Sequence, residues 1–110
     1  MSIDKSSQFI KAEQELAAFA KAIGHPARIA ILKILAKKNA CICGEIVEVL
    51  PLAQATVSQH LKALKEADLI QGTIDGPKSC YCINWAAFNS FKIQFNTLFS
   101  SLEISNTKCC

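Results

Sequence analysis

The sequence predicts a mainly α fold with one small β-hairpin (class α+β), and three observations carry that expectation. Apolar residues recur at steps of three and four through several separate segments. Two of those segments are short and joined by a tight turn, the layout of a helix-turn-helix. Behind them, Asp75-Gly76 marks a sharp turn between two short strand-like runs. The chain has 110 residues and no internal repeat or linker, so residues 1–110 read as a single winged helix-turn-helix domain.

Residues 9–23 carry Phe9, Leu16, Phe19, Ala20 and Ile23 at helical spacing, an amphipathic helix. Gly24-His25 ends it, with His25 expected to cap or turn the chain. Pro26 opens the next helix, because a missing N–H is harmless in a first turn. That helix runs to about Lys38, where Lys37 and Lys38 suit the negative end of its dipole. The helix-turn-helix is assigned to residues 43–68. Its first helix, Cys43 to Leu50, has Ile46, Val49 and Leu50 on one face and stops at Pro51. Its second starts near Gln54, Thr56 or Ser58 and runs to about Asp68, with Val57 and Leu61 as core residues. Residues 69–84 form the wing: a strand over Leu69–Ile74, a turn, and a returning strand over Ser79–Asn84.

Residues 85–104 form a last helix with Trp85, Phe88, Phe91, Phe95, Leu98 and Leu102 in one stripe, widened by Ile93 and Phe99. The chain is 51% hydrophobic and 19% charged. So short a domain offers too little surface to cover that stripe. The expectation is a homodimer sealed through the first and last helices, 9–23 and 85–104, with residues 105–110 as a tail.

The formal net charge is +3. Between Lys21 and Lys38 five basic residues stand with no acid, and Lys62, Lys65 and Lys78 follow. That suits a polyanion, although a lysine run is often only a solvated face. Residues 1–8 are polar and no apolar run reaches membrane-spanning length, so no membrane partner and a cytoplasmic location are expected. In that reducing compartment, six cysteines read as metal-binding or redox groups rather than a disulfide framework.

The segment from Ala53 to Ile70, AQATVSQHLKALKEADLI, is the most specific signal. Gln54, Thr56, Ser58, Gln59 and His60 are short polar groups on the leading turns of a helix, with Lys62 and Lys65 behind. A helix entering the major groove needs such side chains there. His60 reads equally well as a phosphate donor or as a packed ring. Lys78 on the wing is placed to reach a flanking phosphate. The order KAIGHPARIAILKIL, CICGEIVEVL, QATVSQHLKALKEADLI, DGPKSCYCIN resembles the ArsR/SmtB family of metal-responsive repressors, over roughly Phe19 to Phe88. The resemblance implies a winged-helix homodimer that holds double-stranded operator DNA with no cofactor and releases it on binding an inducer. It maps the recognition helix onto Gln54–Lys65, and His25-Pro26, Arg28 and Ile31 onto the second-helix signature. The wing departs from the pattern, offering Lys78 where many members carry several arginines.

The cysteines come in three pairs, Cys41/Cys43, Cys80/Cys82 and Cys109/Cys110. Cys41-Ile42-Cys43 falls where the family's arsenic sensors carry their Cys-x-Cys signature. If both residues were helical they would point about 200° apart, and one ion could join them only by unwinding that turn. Soft thiolates without a nearby imidazole or carboxylate favour thiophilic ions, and the resemblance makes As(III) or Sb(III) the expected inducer. Such ions take three sulfurs. Cys109 and Cys110 supply the third, form the main site, or belong to an unstructured tail with no site role. No cysteine precedes Cys41, unlike the cadmium- and lead-sensing branch, and Asn84–Leu102 lacks the Asp and His ligands of the zinc-sensing branch. Cys80 and Cys82 share one face of the second wing strand, opposite Tyr81 and Ile83, and read as packing residues.

The expected function is therefore a repressor, not an enzyme, released from DNA when a trivalent arsenical or antimonial binds Cys41, Cys43, Cys109 and Cys110. The alternative keeps the fold and makes the switch a thiol oxidation or persulfidation. A thiol oxidoreductase is disfavoured because no Cys-x-x-Cys is present. A helical interaction module without DNA binding is disfavoured by the polar, basic Gln54–Lys65 face.

Overall fold

The computed structural model describes residues 8–38, 42–43, 50–73 and 80–103. Helix α1 spans Lys11–Ile23, α2 Pro26–Lys38 and α3 Gln54–Glu66, and a long α4 covers Trp85–Glu103. Three strands accompany them: β1 Ile42–Cys43, β2 Ile70–Thr73 and β3 Cys80–Ile83. They form one antiparallel sheet in the order β1-β3-β2.

The helix bounds follow local chemistry. Gly24 ends α1, and the His25 imidazole then accepts the Ala27 amide at Nδ1 over 3.0 Å. That satisfies one donor left open at the start of α2, the capping role expected of His25. Helix α3 ends in a Schellman arrangement. The Leu69 amide donates to the Leu64 carbonyl at 3.0 Å and the Asp68 amide to Lys65 at 2.9 Å. Asp68 takes the left-handed conformation, φ 59°, that this cap requires. Leu64 and Leu69, the apolar pair that accompanies such a cap, are both fully buried.

The core sits where α2, α3 and the sheet meet. Ile31 and Leu35 from α2, Val57, Leu61 and Leu64 from α3, and Leu69, Ile70, Tyr81 and Ile83 from the wing base are buried together. Val57 and Leu61 are thus core residues, as the spacing predicts. Each such side chain contributes about 1.5–3 kcal/mol of burial. On the other flank Phe19 of α1 stacks on Phe91 of α4 at 4.0 Å and meets Phe88 and Phe95 edge-on at 5.6 and 5.5 Å.

One expectation is corrected here. The sequence placed Cys43 at the start of a helix, yet Ile42 and Cys43 are extended and pair with β3, Ile42 opposite Tyr81 and Cys43 opposite Cys80. The short apolar run fits strand and helix alike by periodicity, and tertiary pairing with β3 decides. The unwinding argument, built on helical geometry, therefore does not apply at Cys43. The rest of the predicted helix, 44–49, lies outside the described residues, as do the Asp75-Gly76 turn and the tail.

Candidate nucleic-acid interface

Helix α3 has two unlike faces. Successive residues turn by about 100°, so Val57, Leu61 and Leu64 line one side, and all three are buried. Ala55, Gln59, Lys62 and Glu66 fall on the opposite side and are exposed. Gln54, Ser58 and Lys65 occupy one flank, with Gln54 and Lys65 exposed and Ser58 half-buried. Thr56 and His60, both half-buried, occupy the other. The core-facing triplet thus fixes which way the polar set points.

The predicted contact residues therefore separate by position. Gln54, Gln59, Lys62 and Lys65 are open to an approaching groove, and Thr56 and Ser58 stand at its rims. Lys78 lies outside the described residues. The first turn of α3 is also open. Its N-cap, Ala53, is extended and makes no side-chain cap to the leading amides. Backbone donors at a helix start suit a phosphate oxygen.

His60 faces inward. Arg28 donates from Nε to His60 Nδ1 at 3.1 Å and from a terminal nitrogen to the Ala22 carbonyl at 2.9 Å. The His60 ring lies 4.4 Å from that of His25. Because a guanidinium only donates, Nδ1 must keep its lone pair and the proton sits on Nε2. Burial pushes the His60 pKa below its ordinary 6.5, and the charges of His25 and Arg28 push the same way. The ring is thus held within the domain through Nδ1, with its proton on Nε2. Arg28, matched in the sequence only to a family signature, is the clamp that ties the end of α1 and the start of α2 to the middle of α3.

Three further residues escaped the sequence reading. Gly72 has φ +132°, and a Cβ there would stand 1.9 Å from the Cys80 carbonyl oxygen. The backbones of β2 and β3 approach so closely that only glycine fits. Asn84 donates from Nδ2 to the Asp68 carbonyl at 2.8 Å and accepts the Ala87 amide at 3.4 Å. It thereby caps α4 and ties it to the end of α3. Asp68 itself carries a conformation usually left to glycine. An isolated Gly in a strand run and an Asn before an apolar helix are the sequence signals that could have found two of them.

The cysteine sites divide sharply. Cys41, Cys109 and Cys110 lie outside the described residues, and only the backbone position of Cys43 is settled. Among the described residues no group of three or more His, Cys, Asp or Glu is gathered for a metal ion. Cys80 and Cys82 do not pack in the core. In β3 the core side belongs to Tyr81 and Ile83, while Cys80 and Cys82 are half-buried on the other face. Cys80 is disulfide-bonded, and the Cys82 thiol lies 4.0 Å from the Gln71 carbonyl. As the alternation predicts, the two share the face opposite Tyr81 and Ile83, and Cys80 stands between Cys43 of β1 and Thr73 of β2.

Among the described residues no helix is long and apolar enough to cross a membrane. The description "bacterial regulatory protein, arsR family" matches residues 25–71. The transcriptional regulator YgaV of Escherichia coli K12 is 30% identical over 84 residues, covering 76% of this chain and 85% of that protein. The arsenical resistance operon repressor of Staphylococcus aureus is 28% identical over 96 residues, covering 87% and 88%. An ArsR-like transcriptional regulator from Rhodococcus sp. RHA1 shares the fold, with a TM-score of 0.69 at 21% identity over 86% of this chain and 88% of that one. With a two-faced α3 set between a helical core and a β2–β3 wing, the chain is a transcriptional regulator rather than an enzyme, and it belongs to the arsR family of bacterial regulatory proteins.

Proposed function

We propose that this regulator is a homodimeric repressor that reads operator DNA with the outward face of α3 and lets go when a trivalent arsenical or antimonial binds its cysteine thiolates. The observation that carries the DNA half is the division of α3. Val57, Leu61 and Leu64 anchor it, so Gln54, Gln59, Lys62 and Lys65 are presented without distortion of the core. Gln59 is suited to adenine edges, and the lysines to phosphates.

Dimerisation through α1 and α4 is supported by where the apolar stripe outruns its cover. Phe88, Phe91 and Phe95 meet Phe19, but among the described residues no helix covers the last turns of α4. Ile93, Phe99 and Leu102 are 66%, 54% and 61% exposed, and Phe9 and Ile10 beside α1 are 60% and 64% exposed. A second copy would bury that surface symmetrically and space two α3 helices for successive major grooves.

For the inducer, support comes from chemistry: the Cys41–Cys43 pair with Cys109 and Cys110 offers soft sulfur donors, and the S. aureus relative is named for arsenical resistance. Cys43 stands in β1, bonded to β3. An ion closing on it acts on the strand that leads into the helix-turn-helix. A coupling of roughly 1–3 kcal/mol between ion and DNA is enough to shift occupancy severalfold or more.

The test is fluorescence anisotropy on duplex DNA from upstream of the chain's own gene, in reducing buffer, at several salt concentrations. Binding that weakens steeply with salt and is reversed by stoichiometric arsenite is the expected result. Absence of binding to any duplex at low salt overturns the whole reading. Binding indifferent to arsenite and antimonite overturns the inducer and leaves the DNA half standing.

A further inference from the structure

We propose that Cys43 and Cys80 form an oxidisable cross-strand pair, a modification site whose co-reactant is a low-molecular-weight disulfide of the glutathione type. The site rests on two independent observations. The register of β1 and β3 sets Cys43 directly opposite Cys80. Cys80 is itself disulfide-bonded. Opposed residues of an antiparallel pair have Cα atoms about 4.5–5.5 Å apart, inside the roughly 4.4–6.8 Å that a disulfide spans. Cys80 lies on the half-buried face of β3, away from Tyr81 and Ile83, so a bond there needs no rearrangement of the core.

The chemistry balances. One thiolate of the pair attacks a sulfur of the small disulfide and expels one small thiolate, leaving a mixed disulfide on the protein. The second thiolate then attacks the protein sulfur of that mixed disulfide and expels the other. One disulfide bond forms and one breaks. Two electrons pass from the cysteine pair to the small disulfide, which leaves as two thiols after taking up the pair's protons.

The consequence lies in what the bond encloses. Between Cys43 and Cys80 run all of α3 and β2. A covalent tie at the two ends of that segment fastens the DNA-reading helix and the inner wing strand into one closed loop. A sulfur in a disulfide is no longer a thiolate. The oxidised pair therefore has no sulfur at Cys43 for a soft ion, and ion binding and oxidation become alternative states of one position. The inference does not depend on which inducer the protein answers.

The experiment uses the full chain. The reduced protein is treated with oxidised glutathione, remaining thiols are alkylated, and tryptic peptides are mapped by mass spectrometry without reduction. The expected product joins the peptide of residues 39–62 to that of residues 79–92, with fragment ions assigning Cys43 and Cys80. It disappears in Cys43→Ser and in Cys80→Ser and persists in the Cys109→Ser/Cys110→Ser double variant. A thermal melt of the oxidised protein should rise by roughly 10 °C and fall back with dithiothreitol, as closing so long a loop requires. Alkylation of Cys80 after oxidation, a bridge from Cys80 to any other cysteine, or an unchanged melt in cross-linked protein each overturns the proposal.

Discussion

Acidification should loosen the joint between the recognition helix and the rest of the domain, and His60 sets the pH at which it does. The Arg28 guanidinium bonds Nδ1 of a neutral His60 at 3.1 Å and holds the Ala22 carbonyl with its other arm. Protonating His60 removes the acceptor and sets a cation against Arg28 and His25. Burial first, then the charges of His25 and Arg28, keep the folded-state pKa below 6.5. The sign follows from linkage. Above pH 6.5 the ring is neutral folded or unfolded, and stability is at its full value. As pH falls below 6.5 the unfolded chain takes up the proton first, so stability drops until the folded pKa is passed. One group contributes at most about 1.4 kcal/mol per pH unit in that window. Urea denaturation at half-unit steps from about pH 8 to about pH 5, on the native protein and on His60→Gln, isolates the effect because all other groups are shared. The native protein should lose stability over His60→Gln as pH falls below 6.5. Parallel pH curves, or a native protein that gains on the variant in acid, would refute the reasoning.

Gly72→Ala should unseat the wing. The methyl would meet backbone rather than a flexible side chain, so a loss of about 3 kcal/mol or more is expected, read as faster amide exchange at Tyr81 and weaker DNA binding. Asn84→Ala should cost about 1–2 kcal/mol in urea denaturation, since it removes a helix cap and the bond to the Asp68 carbonyl. Asp68→Gly should do the opposite, stabilising by about 1 kcal/mol because φ 59° no longer strains a side chain; a destabilised variant would contradict the cap assignment. Phe99→Glu should convert a dimer to a monomer in sedimentation velocity, with the helical circular dichroism of the fold retained; an unchanged sedimentation coefficient would remove α4 from the interface.

Much of this architecture was legible in the residues because the signals were local. Pro26 and the three-and-four spacing of Val57, Leu61 and Leu64 each act within one element: α2 begins at Pro26, and the three apolar residues share the buried side of α3. The polar face of α3 followed from the same spacing, since fixing the buried side fixes the exposed one. What the sequence concealed depended on contacts between distant segments. Nothing near Arg28 says that its partner is His60, thirty-two positions away. Nothing near Cys43 says that it extends and pairs with Cys80, and the short apolar run reads equally as helix. The positive φ of Asp68 was hidden for another reason: glycine advertises that conformation and aspartate does not.

The strand at Cys43 changes how a signal there would reach DNA. Had this residue begun a helix, distortion would have passed along that helix toward α3. In the sheet it has a second route. β1 is bonded to β3, β3 pairs with β2, and β2 issues directly from the Schellman cap that ends α3. Asn84, just past β3, holds the same cap through the Asp68 carbonyl. The C-terminal end of the recognition helix is thus coupled to β1 through two strands and a capping residue, while Arg28 holds its middle. A chemical event on Cys43 or Cys80 therefore bears on the recognition helix and the wing together.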